Sequence, residues 1–474
     1  MLDEKRYNRQ HLGVEKWGTN KGIGTLDWFP GVGKTMGAII ALKRAYNKRA
    51  YLTTTILLPS EALINQWTKI LKEVIPEIFP NISFRSINEC VLNNVFIDTD
   101  FLIIDEFHEF YTDERGKYIT KERSKYKFLL CLTGTRKDKD KKYLFYEQFA
   151  PVVDIITEKE ALQNNFIASS IEYNYGVYLT DDEQLLYNKY SDEIKNLLPK
   201  FGSIEMAVMC FAGKKATKTT VSEPPFKFCN ILAYQNNWRN DLNINISNEK
   251  EINDNWNPKT LFGQAQYVMK CIGERKRIYQ NAINKIEIGL EIVEKFKDLK
   301  YITFCQSTAM ADTFYDEINQ RMGVGNCMIY HSNIKTQIHH NGEKEIKFGK
   351  TKLKSLAIEN IKSGKARGIS TSSALDKGFD VQDISLLIIF SGSHNPVQNT
   401  QRTNRGTRID MLNPDKVAII VNMYAIGTAD ADSLRSRQKN NNKKAYDVRS
   451  VEEIDYTPKN VKSNITSKLI IGPI

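Results

Sequence analysis

Short apolar runs alternate with helical patterns along the first third of the chain, and this alternation is the feature that most constrains the fold. Residues 22–29 have the pattern of a strand and residues 35–48 that of a helix. Further strand-like runs lie at 53–60, 99–106 and 127–135, with a helical pattern at 61–74. Because two parallel strands need a crossover connection, usually a helix, this alternation predicts a parallel α/β domain. We assign it to residues 1–157.

The same alternation of strand-like runs and helical patterns returns after residue 300. The strand-like runs lie at 301–306, 327–332, 368–373, 385–392 and 416–424. These runs predict a second α/β domain over residues 158–432. Residues from about 180 to 298 have helical periodicity around a polar, Asn/Lys-rich stretch. We therefore predict a largely helical insertion near the start of the second domain. Residues 433–474 are polar and are predicted to form a C-terminal tail.

The composition limits the class of protein. The 474 residues are enough for two or three domains, and 41% hydrophobic residues can form ordinary cores. The net charge of +11 suits a phosphate-rich partner, although a solvated basic surface explains it equally well. Seven cysteines without a C-x-x-C spacing favour reduced thiols over a metal site. The charged N-terminus has no apolar signal core, and no apolar run approaches the roughly 18 residues of a membrane span. We therefore expect a cytoplasmic protein with no membrane partner.

The loop W-F-P-G-V-G-K-T at residues 28–35 joins the first predicted strand to the first predicted helix. Its glycines let backbone N–H groups point at phosphate oxygens, and the following helix adds its positive end. Lys34 supplies a charge for the β- and γ-phosphates, and the Thr35 hydroxyl can ligate Mg²⁺. The loop therefore predicts an ATP site formed by Pro30, Gly31, Val32, Gly33, Lys34 and Thr35. Trp28 stands where this motif usually has Gly or Ala, and the alternative reading is a surface turn.

Two carboxylates, Asp105 and Glu106, follow the apolar run L-I-I. In a parallel sheet the end of this strand lies beside the phosphate loop, which itself follows a strand. Asp105 can then hold Mg²⁺, and Glu106 can orient or deprotonate the attacking water. Taken alone, an acidic pair at a strand end is more often a solvated turn. The upstream phosphate loop favours the catalytic reading.

Four segments occur in a fixed order: F-P-G-V-G-K-T at 29–35, D-E-F-H at 105–108, T-G-T at 133–135 and Q-R-T-N-R-G-T-R at 401–408. Together they resemble the motifs of superfamily 2 helicases, in the DEAD/DEAH-like branch that includes XPB-like, type III restriction-like and phage recombination helicases. The resemblance extends from Arg9-Gln10 to about residue 425. It implies two RecA-like parallel-sheet lobes and an ATP hydrolase that acts on nucleic acid with Mg²⁺.

The resemblance assigns roles to further residues. Gln10, with Arg9 and Trp17 nearby, is similar to the segment that reads adenine. The implied nucleic-acid contacts are Pro59 and Ser60 (together with Gln66 and Trp67), Gln306, Ser307 and Ser372. His108, Thr133, Gly134 and Thr135 are implied to couple hydrolysis to lobe movement. Gly378 and Asp380 match a motif of the second lobe and are assigned to the ATP site.

The segment 401–408 completes the implied site. Gln401, Arg405 and Arg408 match the family pattern, while Asn404 replaces a usual glycine. A guanidinium delivered across the cleft offers fixed, bidentate donors to the charge that develops on the γ-phosphate. In this reading hydrolysis requires the two lobes to close. A basic surface in solvent is the alternative.

The resemblance leans towards DNA, in single-stranded, forked or branched form, with unwinding, branch migration or annealing as the work done. An RNA helicase and an ATP-driven motor subunit of a larger DNA-processing complex remain alternatives, and the oligomeric state is open. The Asn/Lys/Ile-rich composition favours a phage or low-GC source, and for a phage protein the location is the host cytoplasm.

Overall fold

The computed structural model describes residues 2–135, 141–212, 258–334, 337–341, 344–372, 381, 383–392, 402–410, 413, 415–441 and 445–455. The first lobe has strands β1 to β8: Ile23–Trp28, Thr54–Leu58, Ile82–Ser86, Ile97–Asp98, Phe101–Ile104, Ser124–Lys125, Phe128–Thr133 and Val152–Ile156. Its helices α1 to α7 are Leu2–Thr19, Lys34–Lys48, Glu61–Val74, Ile87–Leu92, Asp113–Gly116, Lys141–Glu147 and Glu158–Gln163. Six strands form one sheet in the order β3-β2-β5-β7-β1-β8, and all of its pairs are parallel.

The second lobe has strands β9 to β17: Ser169–Val177, Lys300–Phe304, Cys327–Ile329, Gln337–Asn341, Lys344–Phe348, Gly368–Thr371, Ile384–Ile389, Val417–Ala425 and Ala445–Val448. Its helices α8 to α14 are Asp181–Leu197, Ile204–Ala212, Pro258–Gln280, Ile283–Lys295, Thr308–Met322, Lys350–Lys362 and Ala429–Asn441. Seven strands form a second parallel sheet in the order β11-β14-β10-β15-β16-β9-β17. β12 and β13 form a separate antiparallel hairpin.

Both sheets are covered on two faces, and the strand sequences explain why. Successive side chains of a strand point to opposite faces. In β5, Ile103 packs into one core of the first lobe, whereas Leu102 and Ile104 pack into the other. In β15, Leu387 and Leu386 divide in the same way between the two cores of the second lobe. Strands buried on both faces need continuous apolar runs, which is the pattern of these segments.

The boundaries of the predicted insertion and of the first lobe shift in the structure. Helices α8, α9 and α10 share a small core of their own, whereas α11 buries Leu290, Ile292 and Val293 in the core of the second lobe. Within the described residues, the helical group therefore ends near residue 280 instead of 298. Helix α7 and the segment after it, with Phe166 and Ile167, pack into the first lobe. The first lobe thus extends beyond the predicted boundary at residue 157.

The predicted polar tail from residue 433 is wrong for residues 433–455. Helix α14 continues to Asn441, and β17 pairs in parallel with β9. A few apolar side chains anchor this mostly polar segment, since Leu434 and Val448 are buried. Asn174 of β9 also donates to Asp447 at 2.9 Å. An edge strand and a surface helix need only a few apolar residues. A polar composition is therefore compatible with both, and it does not by itself indicate a tail. Residues 456–474 lie outside the described part of the chain.

Candidate active site

The loop between β1 and α2 has the curled backbone that an anion-binding loop needs. Gly31 and Gly33 have φ angles of 94° and 98°, in the left-handed region that glycine adopts without strain. The amide of Val32 donates to the carbonyl of Phe29 at 3.2 Å, and Val32 itself is buried. The two glycines therefore turn the chain around a buried apolar residue. The backbone of residues 29–33 therefore forms a tight curl, of the kind that can surround an anion.

Lys34 and Thr35 lie half-buried in the first turn of α2, directly after this loop. The Nζ atom of Lys34 lies 3.4 Å from the carbonyl oxygen of Trp28, where β1 ends. The ammonium group is thus folded back across the loop. A phosphate in the loop would meet both the Lys34 charge and the N-terminal end of α2.

Trp28 is fully buried beneath the loop. Its indole lies against Gly13 of α1 and Gly37 of α2, where an added Cβ atom would come within 2.5 Å of the ring. Its Nε1 donates to Oδ2 of Asp154 at 2.8 Å. The departure from the usual small residue is therefore accommodated by two neighbours without side chains, and the loop keeps its shape.

Helix α1 ties the loop to strand β8. Gln10 is buried, and its Nε2 donates to the carbonyl of Val32 at 2.8 Å. Arg9 pairs with Asp154 at 2.7 Å and with Glu160 at 2.6 Å. The amide nitrogen of Gln10 thus holds the phosphate loop, and its contact with adenine stays a prediction.

Asp105 and Glu106 follow β5, as predicted. Asp105 is buried, and its Oδ2 accepts a hydrogen bond from the Trp67 indole at 3.0 Å. Its Oδ1 accepts from the backbone N–H of Glu106 at 2.9 Å. Burial and the neighbouring Glu106 carboxylate raise the pKa of Asp105 to about 6, against the opposing effect of Lys34. Trp67 is buried and its indole holds the Asp105 carboxylate, while its contact with a nucleic acid stays a prediction.

Glu106 has a left-handed backbone, with φ 51° and ψ 50°, which is uncommon outside glycine. Such strain persists where the surrounding structure fixes it, often at functional sites. Here β5 ends immediately before the acidic pair and the turn Phe107–Phe110 follows it. The conformation therefore turns the two adjacent carboxylates out of the strand at its carboxyl end.

The T-G-T segment ends β7, the strand between β1 and β5. A Cβ atom at Gly134 would lie 2.6 Å from the carbonyl oxygen of Trp28 and 2.8 Å from Nζ of Lys34. It would also lie 2.9 Å from Cδ of Pro30. Gly134 is thus in direct contact with the phosphate loop, and no larger residue fits there without displacing it.

His108 joins the T-G-T segment to the acidic pair. Its Nδ1 lies 2.7 Å from Oγ1 of Thr135 and 3.4 Å from Oε2 of Glu106. Thr133 is buried, and its Oγ1 accepts from the amide of Thr135 at 3.4 Å. The predicted coupling residues are therefore adjacent to one another and to Glu106, while their coupling role stays a prediction.

The predicted nucleic-acid contacts of the first lobe lie where β2 meets α3. Pro59 is buried, and its carbonyl accepts from Asn88 at 3.4 Å. Ser60 precedes the first residue of α3. Its buried Oγ has no hydrogen-bond partner among the described residues. The contact of Pro59 and Ser60 with a nucleic acid stays a prediction.

Gln306, Ser307 and Ser372 follow β10 and β14, two neighbouring strands of the second lobe. Nε2 of Gln306 donates to the carbonyl of Ser391 at 2.9 Å. Oγ of Ser307 donates to Asn281 at 2.6 Å and accepts from the first turn of α12 at 3.1 Å. The three residues thus lie at the same edge of the second sheet. Gln306 and Ser307 are already hydrogen-bonded to other residues of the second lobe. Their contact with a nucleic acid stays a prediction.

Arg405 and Arg408 are half-buried in the segment 402–410. The neighbouring Arg402 is almost fully buried, with its guanidinium 5.2 Å from the centre of the Phe304 ring. Burial lowers the pKa of Arg402 to about 10. The carbonyl of Arg408 accepts from Lys416 at 2.9 Å. Arg402 therefore belongs to the interior of the lobe, which leaves Arg405 and Arg408 as the candidates for the ATP site. Gln401, Gly378 and Asp380 lie outside the described residues.

Two features are absent from the described part of the chain. It holds no cluster of three or more His, Cys, Asp or Glu side chains that could bind a metal ion. None of its helices is long and apolar enough to cross a membrane.

Comparison with known proteins finds one matching family model and several similar proteins. Residues 284–410 match the family model described as helicase conserved C-terminal domain. A DNA 3'-5' translocase, XPB2 of Sulfurisphaera tokodaii, is 22% identical over 86% of this chain and 79% of its own length. The structure of S. cerevisiae Dbp5 bound to RNA and ADP BeF3 has a TM-score of 0.52 and 11% identity, over 96% of this chain and 92% of that one. The Pyrococcus furiosus Hef helicase domain has a TM-score of 0.47 and 13% identity, over 91% and 97%.

Proposed function

We propose that the chain is a superfamily 2 helicase that hydrolyses ATP to ADP and phosphate in order to move along DNA. One observation supports the ATPase most directly. The ends of β1, β7 and β5 place Lys34, Gly134 and Glu106 in one continuous set of contacts, with His108 against Glu106 and Thr135. A change at the phosphate loop would therefore reach the acidic pair through Gly134, Thr135 and His108.

Each group in this set has a chemical task. Lys34 and the loop amides hold the β- and γ-phosphates. Asp105 and Thr35 are the residues that would hold Mg²⁺, which supplies positive charge to the phosphate oxygens when bound. The buried Asp105 carboxylate fits this assignment because its pKa is raised by burial and by Glu106, so a cation beside it would stabilise the ionised form. Glu106 orients the attacking water and accepts its proton.

The second lobe contributes Arg405 and Arg408 to the same reaction. Both follow the buried Arg402 on a segment that is fixed to the core by Gly406, which packs against Leu387 and Ala418. A guanidinium delivered across the cleft stabilises the charge that develops on the γ-phosphate. Hydrolysis would then depend on lobe closure, and repeated closure would move the protein along a strand.

Arg405→Lys and Arg408→Lys should each lower ATP turnover by at least about tenfold at saturating DNA, because lysine keeps the charge but loses the planar fork. The affinity for ATP should change much less, since Lys34 and the loop amides bind the ground state. Steady-state kinetics in ATP and in DNA would measure both effects. Arg435→Lys is the matched control, because Arg435 is exposed on α14. If turnover survives and only the DNA concentration for half-maximal stimulation rises, the two arginines bind the strand instead.

The choice of DNA rests on the translocase relative, which is named for action on DNA. We expect ATP turnover to rise with single-stranded and forked DNA more than with RNA of the same sequence. The stimulation should weaken as salt increases, because contacts with backbone phosphates release counterions. Turnover measured side by side with single-stranded DNA, duplex DNA, forked DNA, RNA and no nucleic acid tests this preference.

Each outcome of this comparison separates the alternatives. Stronger stimulation by RNA would identify an RNA helicase with the same ATP site. DNA-stimulated turnover without unwinding of a forked duplex would identify a motor subunit whose movement serves a larger complex. Turnover that no nucleic acid changes would contradict the proposed function.

A further inference from the structure

The chain passes from the first lobe into the second between Ile167 and Ala168. Phe166 and Ile167 are buried in the core of the first lobe. The next residue, Ala168, donates its backbone N–H to the carbonyl of Thr407 in the second lobe at 2.8 Å. Strand β9 of the second sheet begins at Ser169. The change of lobe therefore occurs between Ile167 and Ala168.

On its first-lobe side this peptide contacts the phosphate loop. Ile167 is 4% exposed, and its Cγ2 methyl lies 3.1 Å from the position that a Cβ atom would take at Gly31. Gly31 is one of the two glycines that curl the loop. The carbonyl of Phe166 also accepts from Arg6 of α1 at 2.9 Å. The same helix holds the loop from its other side through Gln10.

On its second-lobe side the peptide contacts the arginine segment. Thr407 lies between Arg405 and Arg408, so its carbonyl belongs to the backbone that positions both guanidinium groups. Gly406 is packed tightly against β15 and β16. A displacement of this backbone would therefore move the arginines with it, because the segment has little room to adjust within its own lobe.

We propose that Ile167 is a positioning residue for ATP hydrolysis, which fixes the phosphate loop and the arginine segment relative to each other through Gly31 and the Ala168–Thr407 hydrogen bond. This inference rests on the proposed function. The Cγ2 methyl sets the position of the lobe-joining peptide on the loop, and the next amide sets the position of the arginines. Binding of ATP in the loop thus acts on the second lobe through one residue, in addition to any contact across the cleft.

Two substitutions of Ile167 separate positioning from packing. Ile167→Val is smaller but keeps a methyl branch on Cβ, where Cγ2 contacts the loop. Ile167→Leu keeps the number of carbon atoms but moves the branch to Cγ and removes that methyl. If Ile167 only fills the core, Leu should perform as well as Val or better, since volume-conserving exchanges are tolerated best. If Ile167 positions the loop, Val should be the better replacement.

We expect Ile167→Leu and Ile167→Ala to lower the nucleic-acid-stimulated kcat about tenfold, because misplacement of a catalytic group by 1 Å can cost about a hundredfold in rate. The affinity for ADP should stay within about twofold, since the arginines act on the transition state and not on the bound ground state. Ile167→Val should keep most of the wild-type kcat. Leu162→Ala, a partly exposed leucine on the preceding helix α7, is the control and should behave as wild type.

The measurements are kcat and KM for ATP at saturating DNA, ADP affinity by calorimetry, and the thermal midpoint of each variant. Equal kcat values for the Leu and Val variants would overturn the proposal. So would a loss of ADP affinity in Ile167→Leu without a loss of kcat, because Ile167 would then only support the loop. Nucleic-acid stimulation of the wild-type ATPase tests the proposed function separately from the Ile167 variants. Absence of nucleic-acid stimulation in the wild type would reject the proposed function itself, and the inference with it.

Discussion

Lys34→Ala should lower ATP turnover by at least about a hundredfold, because it removes a preorganised cation from the site of the β- and γ-phosphates. The fold should be unaffected. Lys34 is half-buried, its ammonium contacts the carbonyl of Trp28 at 3.4 Å, and the core beneath it is formed by other residues. Initial-rate measurements with saturating DNA, together with a thermal melt, would test both expectations.

Lys48→Ala is the matched control for this experiment. It removes the same charge from the same helix, but at the exposed C-terminal end, about 20 Å from Lys34 at 1.5 Å per residue. We expect its turnover to equal that of the wild type. Turnover close to wild type in a folded Lys34→Ala protein would contradict the assignment of residues 28–35 to ATP.

Glu106→Gln should lower turnover by about a hundredfold or more, in the range by which a positioned general base accelerates a reaction. Glutamine keeps the shape and the strained backbone of this position but cannot accept a proton from water. The variant should still bind ATP with Mg²⁺, because Lys34, Thr35 and Asp105 are unchanged. It should therefore accumulate as an ATP complex on DNA, which single-turnover kinetics and DNA retention in ATP would detect.

Glu114→Gln controls for loss of a carboxylate in the same region. Glu114 is exposed and pairs only weakly with Lys117, three residues further along, at 3.1 Å. Its turnover and DNA retention should not change. If Glu106→Gln instead fails to bind ATP, Glu106 is required for the shape of the site, and its role in activating water is wrong.

The sequence predicts the strands of the first lobe, the loop at 28–35 and the position of the acidic pair well, because their determinants are local. The loop at 28–35 is specified by glycine spacing and by the strand and helix on either side. Asp105 and Glu106 follow an apolar run whose end is fixed by parallel pairing. Strand periodicity likewise located β10, β14, β15 and β16 of the second lobe. In each case the information lies within about ten residues along the chain, which is the range over which periodicity and turn chemistry act.

The contacts that support the site could not be predicted in this way. Asp154 lies more than a hundred positions from Trp28, Arg9 and Lys16, and yet it binds all three. The resemblance places Trp67 among the nucleic-acid contacts, and the sequence does not reveal that its indole donates to Asp105. The resemblance assigns Gln10 to adenine, and the sequence does not reveal that its amide nitrogen donates to the carbonyl of Val32 in the phosphate loop. These pairings depend on how helices cross the sheet, and a local pattern does not encode that.

The buried Trp28 also has a consequence for how this chain can change over time. An indole at position 28 excludes any side chain at positions 13 and 37, because a single carbon at either would come within 2.5 Å of the ring. Position 28 and these two glycines should therefore change together among descendants of this sequence. A lineage that restores a small residue at 28 gains freedom at 13 and 37, and the carboxylate of Asp154 loses the indole as a partner. Any route between the two arrangements that changes one position at a time passes through either a steric clash or a cavity beneath the phosphate loop.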